Sequence, residues 1–261
     1  MGIVNVTPDS FSDGGRFVDA SRAVDHALEL VAAGAEIIDV GGESTRPFAS
    51  DVNAHEQIRR VTPVIRGIHA QCDVAISIDT RLALVARAAL DEGVEIINDV
   101  SGLEGDPDML STALRSEAGI CVMHMQGTPQ TMQVAPHYND VVTDVADYLQ
   151  RRCVALSDVG FDDDRVCLDP GVGFGKTHEH NLELMRNCRQ FHDLGRPLLV
   201  GHSRKGFLGK LLGDAEASRD AVTAGASVAL AEQGVQIVRV HDVRGVRETL
   251  LGWHACRALQ A

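Results

Sequence analysis

Residues Gly2–Ala33 read GIVNVTPDSFSDGGRFVDASRAVDHALELVAA, and this stretch contains one βα unit that the rest of the chain repeats. It opens with a short run rich in Val and Ile and continues through a loop rich in Gly, Ser and Asp. It ends in a segment whose apolar residues have helical spacing. Gly34 follows, at the position where a left-handed residue commonly ends a helix. The stretch therefore predicts a strand, a long loop and a helix, in that order.

The same pattern occurs eight times along the chain. The predicted strands are Gly2–Val6, Glu36–Val40, Ala75–Ile78, Glu95–Asn98, Ile120–Met123, Val166–Leu168, Leu198–Val200 and Gln236–Val240. The predicted helices are Ala20–Ala33, Ala54–Gln71, Leu82–Glu92, Pro107–Ala118, Tyr138–Val159, Glu179–Leu194, Ala217–Gln233 and Val243–Leu259. Apolar strands alternating with helices are typical of a parallel sheet covered on its faces. Eight such units in 261 residues favour an α/β fold of the closed (β/α)8 type, a TIM barrel. A doubly wound open sheet is the alternative, which the absence of a G-x-G-x-x-G after any strand disfavours.

The chain contains no linker and no low-complexity segment, so we expect a single barrel domain over residues 1–261. The first predicted strand begins at residue 2, and nothing before it covers the bottom of the barrel. We therefore expect either that side chains plug the lower opening or that the native start lies upstream.

Composition limits the classes of function. The formal net charge is -13, which argues against non-specific nucleic-acid binding because that binding needs a basic surface. No apolar run approaches the ~18 residues of a membrane span, and no secretory signal opens the chain. None of the six cysteines forms a C-x-x-C pair. We therefore expect the cysteines to be small buried apolar side chains of a protein in a reducing compartment. These features predict a cytoplasmic protein.

Polar side chains cluster where the predicted strands end, which is where a barrel of this kind places its active site. A carboxylate or carboxamide ends five strands, more than the start of loops alone explains. Asp79, Asn98 and Asp169 suit a flat heterocycle with several N–H donors, because a carboxylate accepts two parallel donors at once. The cationic or potentially cationic side chains that suit an anion are Arg46, Lys205, Arg239 and His241. The two sets predict a ligand with a donor-rich ring at one end and phosphates at the other.

Eight segments in a fixed order carry a resemblance to one family. They are NVTPDSFSDGG, IIDVGGESTRP, SIDT, IINDVSG, MHMQGTPQTMQ, LDPGVGFGKT, LLVGHSRKGFLG and VRVHDV. From Gly2 to about Leu250 the chain resembles the dihydropteroate synthase family, which sulfonamides target. The resemblance implies a transferase of folate biosynthesis that joins 6-hydroxymethyl-7,8-dihydropterin pyrophosphate to p-aminobenzoate, with Mg²⁺ as cofactor. It also implies a homodimer, with Ala217–Leu230 as a candidate contact.

The resemblance carries roles onto individual residues. Asp79, Lys205 and Arg239 are implied to be catalytic. The implied pterin-binding set is Asp79, Asn98, Met123, Asp169, Lys205 and Arg239. The implied pyrophosphate-binding set is Asn5, Thr45, Arg239 and His241, with Asn5 as the magnesium ligand. The implied p-aminobenzoate-binding set is Arg46, Pro47, Phe174, Ser203 and Lys205, and Ser203 also stands where a helix after strand 7 is expected to start.

Two features differ from what is usual in the family, and two other functions are alternatives. Family members usually have a hairpin before strand 1, which this chain lacks. His202 stands where an apolar residue is common, and we expect it to face solvent without a role. A pterin-dependent methyltransferase of the same barrel superfamily and a non-catalytic pterin-binding paralogue are the alternative functions. The first would lack the anion-binding set, and the second should have lost residues such as Asp79 or Lys205.

Overall fold

The computed structural model describes residues 1–6, 16–44, 51–214 and 216–258. Over these ranges strands and helices alternate around the predicted (β/α)8 barrel. The strands are β1 (Gly2–Asn5), β2 (Ile37–Gly41), β3 (Ala75–Asp79), β4 (Ile96–Asp99), β5 (Gly119–Met123), β6 (Val166–Asp169), β7 (Leu199–Val200) and β8 (Ile237–Val238). The α-helices are α1 (Arg16–Ala32), α2 (Ala54–His69), α3 (Ala83–Asp91), α4 (Met109–Leu114), α5 (Val141–Asp158), α6 (His178–Arg186), α7 (Gly206–Leu212), α8 (Asp220–Glu232) and α9 (Val243–Ala258).

Parallel pairing closes the strands into a ring. β1 to β6 form one sheet in chain order, and β7 pairs with β8. A bridge between Leu168 and Leu198 joins β6 to β7, and a bridge between Gly2 and Val240 joins β8 to β1. The Ile3 N–H also donates to the Val240 carbonyl at 3.2 Å. The strand that begins at residue 2 is therefore hydrogen-bonded along both of its edges.

Alternation along each strand separates an apolar core from a polar interior. Ile38 and Val40 on β2 are fully buried in the main hydrophobic core, which lies between the strands and the surrounding helices. Asp39 lies between them, is also fully buried, and bonds to Arg239, which follows β8 and is separated from β2 by β1. Since successive side chains of a strand point to opposite faces, Asp39 faces the inside of the barrel. The upper interior is thus the place where this chain concentrates its buried charge.

The structure changes two of the predicted helices. The segment predicted as a helix over Glu179–Leu194 divides into α6 and a 3-10 helix over Cys188–Leu194. At the junction the Asn187 side chain donates to the Glu183 carbonyl at 2.8 Å, a local bond that competes with helix continuation. The helix expected to start at Ser203 begins instead at Gly206 as α7, because Arg204 has a left-handed φ of 57°. None of the helices that the structure describes has the length and apolar character to cross a bilayer.

Candidate functional site

A pocket of about 970 Å³ opens at the carboxyl ends of the strands. Loops that follow β6, β7 and β8 form much of its wall. Six residues predicted from the sequence line it, namely Asn5, Phe174, Ser203, Lys205, Arg239 and His241. Asp79, Asn98 and Asp169 lie deeper in the barrel and are only 5–7% exposed. The structure therefore brings together the predicted donor-binding set and the described members of the anion-binding set, Lys205, Arg239 and His241.

The floor of the pocket is an ion-pair cluster centred on Arg239. Its guanidinium donates from Nε to Asp39 Oδ2 and from a terminal nitrogen to Asp79 Oδ2 at 2.8 Å. The Asn98 side-chain amide donates to the same Asp39 oxygen at 3.1 Å. Four side chains from β2, β3, β4 and the end of β8 thus form one network across the barrel, and each holds the next in place.

Two carboxylate oxygens of this cluster retain acceptor capacity. Asp39 Oδ1 and Asp79 Oδ1 are buried and have no hydrogen-bond partner among the described residues. Burial raises the pKa of Asp79 to about 7, against the opposing attraction of the Arg239 guanidinium, and the neighbouring Asp39 carboxylate adds to the rise. A buried acceptor without a donor carries a cost that a ligand with N–H groups relieves. The cluster is therefore suited to a donor-rich ring.

The second cationic group, Lys205, lies against the loop after β6. Its ammonium donates to the Val172 carbonyl and stands 4.3 Å from the centre of the Phe174 ring, a cation–π contact. Burial lowers the pKa of Lys205 to about 8, although the Asp169 carboxylate opposes that shift. Burial likewise raises the pKa of Asp169, whose Oδ1 accepts from the Gly171 N–H at 2.7 Å. An aromatic wall and a cation thus stand side by side above a buried carboxyl group.

Ser203 and His241 form a polar pair at the other side of the pocket. The Ser203 hydroxyl lies 3.0 Å from His241 Nδ1, and the His241 backbone N–H donates to the same oxygen at 3.2 Å. The helix after β7 begins at Gly206, later than the sequence predicted, so Ser203 does not cap it. Its contact with His241 instead ties the β7 loop to the β8 loop.

Asn5 ends β1 beside Gly41 of β2. A methyl group at Gly41 would lie 3.7 Å from Asn5 Oδ1 and 3.8 Å from Asp79 Oδ2. The missing side chain thus leaves the space beside Asn5 Oδ1 open. Mg²⁺ accepts few protein ligands and keeps waters and phosphate oxygens, so a single carboxamide oxygen fits it. Among the described residues no cluster of three His, Cys, Asp or Glu side chains forms a metal cage.

Met123 and His202 are both buried beside the loops of the site. Met123 is 3% exposed and packs in a small apolar cluster with Phe174, Val100 and Met132, so it supports the aromatic wall from behind. The expectation that His202 faces solvent was wrong. Its side chain is fully buried, and Nε2 lies 2.9 Å from the Ser227 hydroxyl on α8. This contact anchors the loop that carries Ser203 and Lys205.

Three residues with predicted roles, Thr45, Arg46 and Pro47, lie outside the residues that the structure describes. Sequence reasoning gave no role to Asp39 or Lys176, which the structure places within the site. Asp39 is a carboxylate inside an apolar strand, a signal that was visible in IIDVG. Lys176 is 2% exposed and lines the pocket. The sequence could have pointed to Lys176 because lysine is rare in this chain, with only three lysines among 24 Lys and Arg residues.

Comparison with known proteins gives consistent matches over the whole chain. The family model described as "Pterin binding enzyme" matches residues 1–241. Dihydropteroate synthase of Escherichia coli K12 is 44% identical over 250 residues, which cover 96% of this chain and 88% of the relative. The Yersinia pestis dihydropteroate synthase, solved with a sulfonamide drug complex, superposes with a TM-score of 0.92 at 40% identity, covering 99% of this chain and 93% of that one. The Xanthomonas albilineans enzyme, solved with 4-aminobenzoic acid, gives a TM-score of 0.92 at 41% identity and covers 99% and 92%.

Proposed function

The chain belongs to the pterin-binding enzyme family, and from that membership we propose that it is a transferase with the dihydropteroate synthase activity of its relatives. It condenses 6-hydroxymethyl-7,8-dihydropterin pyrophosphate with p-aminobenzoate. The products are 7,8-dihydropteroate and pyrophosphate, and the step belongs to folate biosynthesis. The single observation that carries this proposal is the pocket in which buried carboxyl groups and cations stand together at the strand ends.

Each substrate group has a chemically matching part of the pocket. The pterin ring carries N–H donors, and the unpartnered oxygen of Asp79 and the carboxyl group of Asp169 are buried acceptors for them. Asn98 completes this set from β4. Pyrophosphate needs cations and hydrogen-bond donors, for which Arg239 at the floor and His241 in the wall of the same pocket are suited. We place the pterin at the floor and the diphosphate toward β1 and β8.

The p-aminobenzoate subsite lies between the loops after β6 and β7. The Phe174 ring offers an apolar face to the benzene ring, and the Lys205 ammonium beside it offers a charge to the carboxylate. Ser203 adds a hydroxyl from the same loop as Lys205. Thr45, Arg46 and Pro47 keep the pyrophosphate and aminobenzoate roles that the family resemblance implies for them.

The proposed mechanism follows from the charges. Departure of pyrophosphate leaves positive charge on the pterin methylene group, which the ring delocalises. The Asp79 carboxylate stabilises that charge electrostatically, because it acts within a site that excludes water. Arg239 and His241 stabilise the leaving anion, and the neutral aryl amine then attacks the methylene carbon. No covalent enzyme intermediate is required.

We propose Asn5 as the protein ligand of Mg²⁺. The bound ion supplies charge neutralisation for the pyrophosphate group. The carboxamide oxygen of Asn5 contributes no charge of its own, which suits an ion whose charge partners are substrate phosphates.

The finer features of the protein are also proposals. We propose one catalytic barrel domain over residues 1–261, a homodimer, and a cytoplasmic location. Ala221, Gly225 and Ala229 form an exposed strip of small residues on α8, which supports this helix as the dimer contact. Six free cysteines support a reducing compartment, because disulfides persist mainly outside the cytosol.

The test is pyrophosphate release with both substrates and Mg²⁺. Wild type should release pyrophosphate only when p-aminobenzoate is present, and Asp79→Ala and Lys205→Ala should each lower the rate by about 100-fold. Asp73→Ala is the matched control, because Asp73 is exposed at the opposite end of β3. Wild type that releases no pyrophosphate would exclude the synthase activity and favour a non-catalytic pterin-binding protein. Release without p-aminobenzoate would also contradict the proposal.

A further inference from the structure

Lysine is confined to the pocket in this chain. Lys176, Lys205 and Lys210 are the only lysines in the sequence, and all three line the pocket. Elsewhere the chain uses arginine for positive charge. An ammonium differs from a guanidinium because it is compact and directs three donors tetrahedrally, whereas a guanidinium is a planar fork. A buried lysine with several acceptors around its nitrogen therefore uses the compact shape of the ammonium, whereas Lys210 is exposed.

Lys176 is the most enclosed of the three and has a defined set of contacts. Its Nζ lies 2.9 Å from the Phe174 carbonyl, 3.0 Å from His124 Nδ1 and 3.4 Å from the His124 carbonyl. Burial lowers the pKa of Lys176 well below its usual value, and the Asp169 carboxylate opposes that shift. The three acceptors also favour the protonated amine, because they match its three N–H donors. Burial lowers the pKa of His124 to about 3, with the charge of Lys176 adding to the effect, so the ring is neutral and Nδ1 is free to accept.

These contacts join two loops of the site. His124 directly follows β5, and Phe174 belongs to the loop after β6. That loop receives a side-chain hydrogen bond at each of four successive carbonyls. The pairs are Lys205 to Val172, Gln133 to Gly173, Lys176 to Phe174, and Tyr138 to Gly175. Lys176 is the one donor that holds the carbonyl of the aromatic residue itself.

We propose that Lys176 is a positioning residue that sets the Phe174 wall of the aminobenzoate subsite. The inference rests on the proposed function, because it concerns the placement of one of its two substrates. The pterin-binding side chains of Asp79, Asn98 and Asp169 are on paired strands, where the sheet register holds them. Phe174 is on a loop without such pairing. The contact of Lys176 with the Phe174 carbonyl therefore acts on the aminobenzoate subsite. Its charge reaches the pterin-binding Asp169 only electrostatically, where it opposes the rise in the pKa of that carboxyl group.

Lys176→Met keeps the length of the side chain and removes all three donors. We expect the KM for p-aminobenzoate to rise about tenfold, which corresponds to ~1.4 kcal/mol. The KM for the pterin pyrophosphate should stay within about threefold, a split that general damage to the fold does not produce. Lys176→Arg should not restore the wild-type KM, since a planar fork cannot meet three acceptors arranged around one nitrogen.

A second pair of variants tests the same contact if Lys176→Met fails to fold. His124→Asn keeps an acceptor near the position of Nδ1, and His124→Leu removes it. We expect a raised KM for p-aminobenzoate in His124→Leu and a smaller rise, or none, in His124→Asn. The thermal midpoint of each variant, followed by circular dichroism, shows that folded proteins are compared.

The outcomes separate the two proposals. Wild type without p-aminobenzoate-dependent pyrophosphate release overturns the proposed function. An active wild type with an unchanged KM for p-aminobenzoate in folded Lys176→Met overturns only the role of Lys176. A parallel rise of the KM for p-aminobenzoate and the KM for the pterin pyrophosphate also overturns the role of Lys176. If Lys176→Met does not fold, equal KM values for p-aminobenzoate in the two His124 variants overturn it.

Discussion

Replacing Asp79 with Asn should make the protein more stable at alkaline pH while removing its activity. Asp79 is 7% exposed, and burial raises its pKa from 3.8 to about 7. The folded protein therefore keeps a proton that the unfolded chain releases between these pH values. By linkage, the free energy of unfolding of wild type falls as the pH rises through this window. An Asn side chain does not titrate and still offers Arg239 an oxygen acceptor.

The magnitude follows from the pKa difference. One pKa unit corresponds to ~1.4 kcal/mol, so a rise of about three units corresponds to ~4 kcal/mol. Asp79→Asn should therefore resemble wild type near pH 4 and exceed its free energy of unfolding by up to ~4 kcal/mol near pH 8. Turnover should fall by about 100-fold, because the carboxylate that stabilises the developing positive charge is lost.

Urea unfolding followed by circular dichroism at several pH values measures this difference. Asp140→Asn is a control in which the pH dependence of the free energy of unfolding has the opposite sign. The Thr143 N–H lowers the pKa of Asp140, an exposed helix-capping carboxylate. Its charge stabilises the fold above the unfolded pKa and ceases to do so as the pH falls through the folded pKa. Wild type that is more stable than Asp79→Asn near pH 8 would show that burial does not raise the pKa of Asp79. A stability difference that does not vary with pH would show the same.

Three further predictions concern neighbouring groups. Arg239→Met should lower the free energy of unfolding by about 3–5 kcal/mol at neutral pH, because it leaves two buried carboxyl groups without their shared cation. An unchanged midpoint of urea unfolding would contradict this. The kcat/KM for p-aminobenzoate should fall as the pH rises through about 8, where Lys205 loses its proton, and Lys205→Arg should move this decline to higher pH. Gly171→Ala should abolish pyrophosphate release. Gly171 has φ +68°, and the new Cβ would lie 1.8 Å from the His124 carbonyl oxygen. Normal turnover of this variant would show that the loop after β6 adapts.

The fold was largely predictable because its signals are local. Each strand is a short apolar run and each helix has a periodic apolar face, so the eight units and the parallel sheet follow from residues close together in the chain. The exceptions have local causes. Helix α7 starts later than expected because Arg204 has a left-handed φ, and the division at Asn187 depends on a side chain that bonds to its own helix. Neither changes the position of the site.

The site was predictable to the extent that strand ends identify it. Asn5, Phe174, Ser203, Lys205, Arg239 and His241 line the pocket, as their positions at strand ends and in the following loops led us to expect. The roles of His202 and Lys176 were not predictable, since each depends on a partner from a distant element. The Ser227 contact of His202 spans 25 residues, and the His124 contacts of Lys176 span 52.

The sequence alone determined the period of the fold, the family and the residue types at the rim. Only the tertiary structure decided which of these residues form ion pairs with one another. Arg239 reaches Asp39 across 200 positions of the chain and Asp79 across 160. Spacing within a strand fixes which face a side chain takes, but Arg239 comes within reach of β2 and β3 only after β8 pairs with β1. The raised pKa of Asp79 and the enclosed ammonium of Lys176 are consequences of that closure, because both depend on burial by several elements at once.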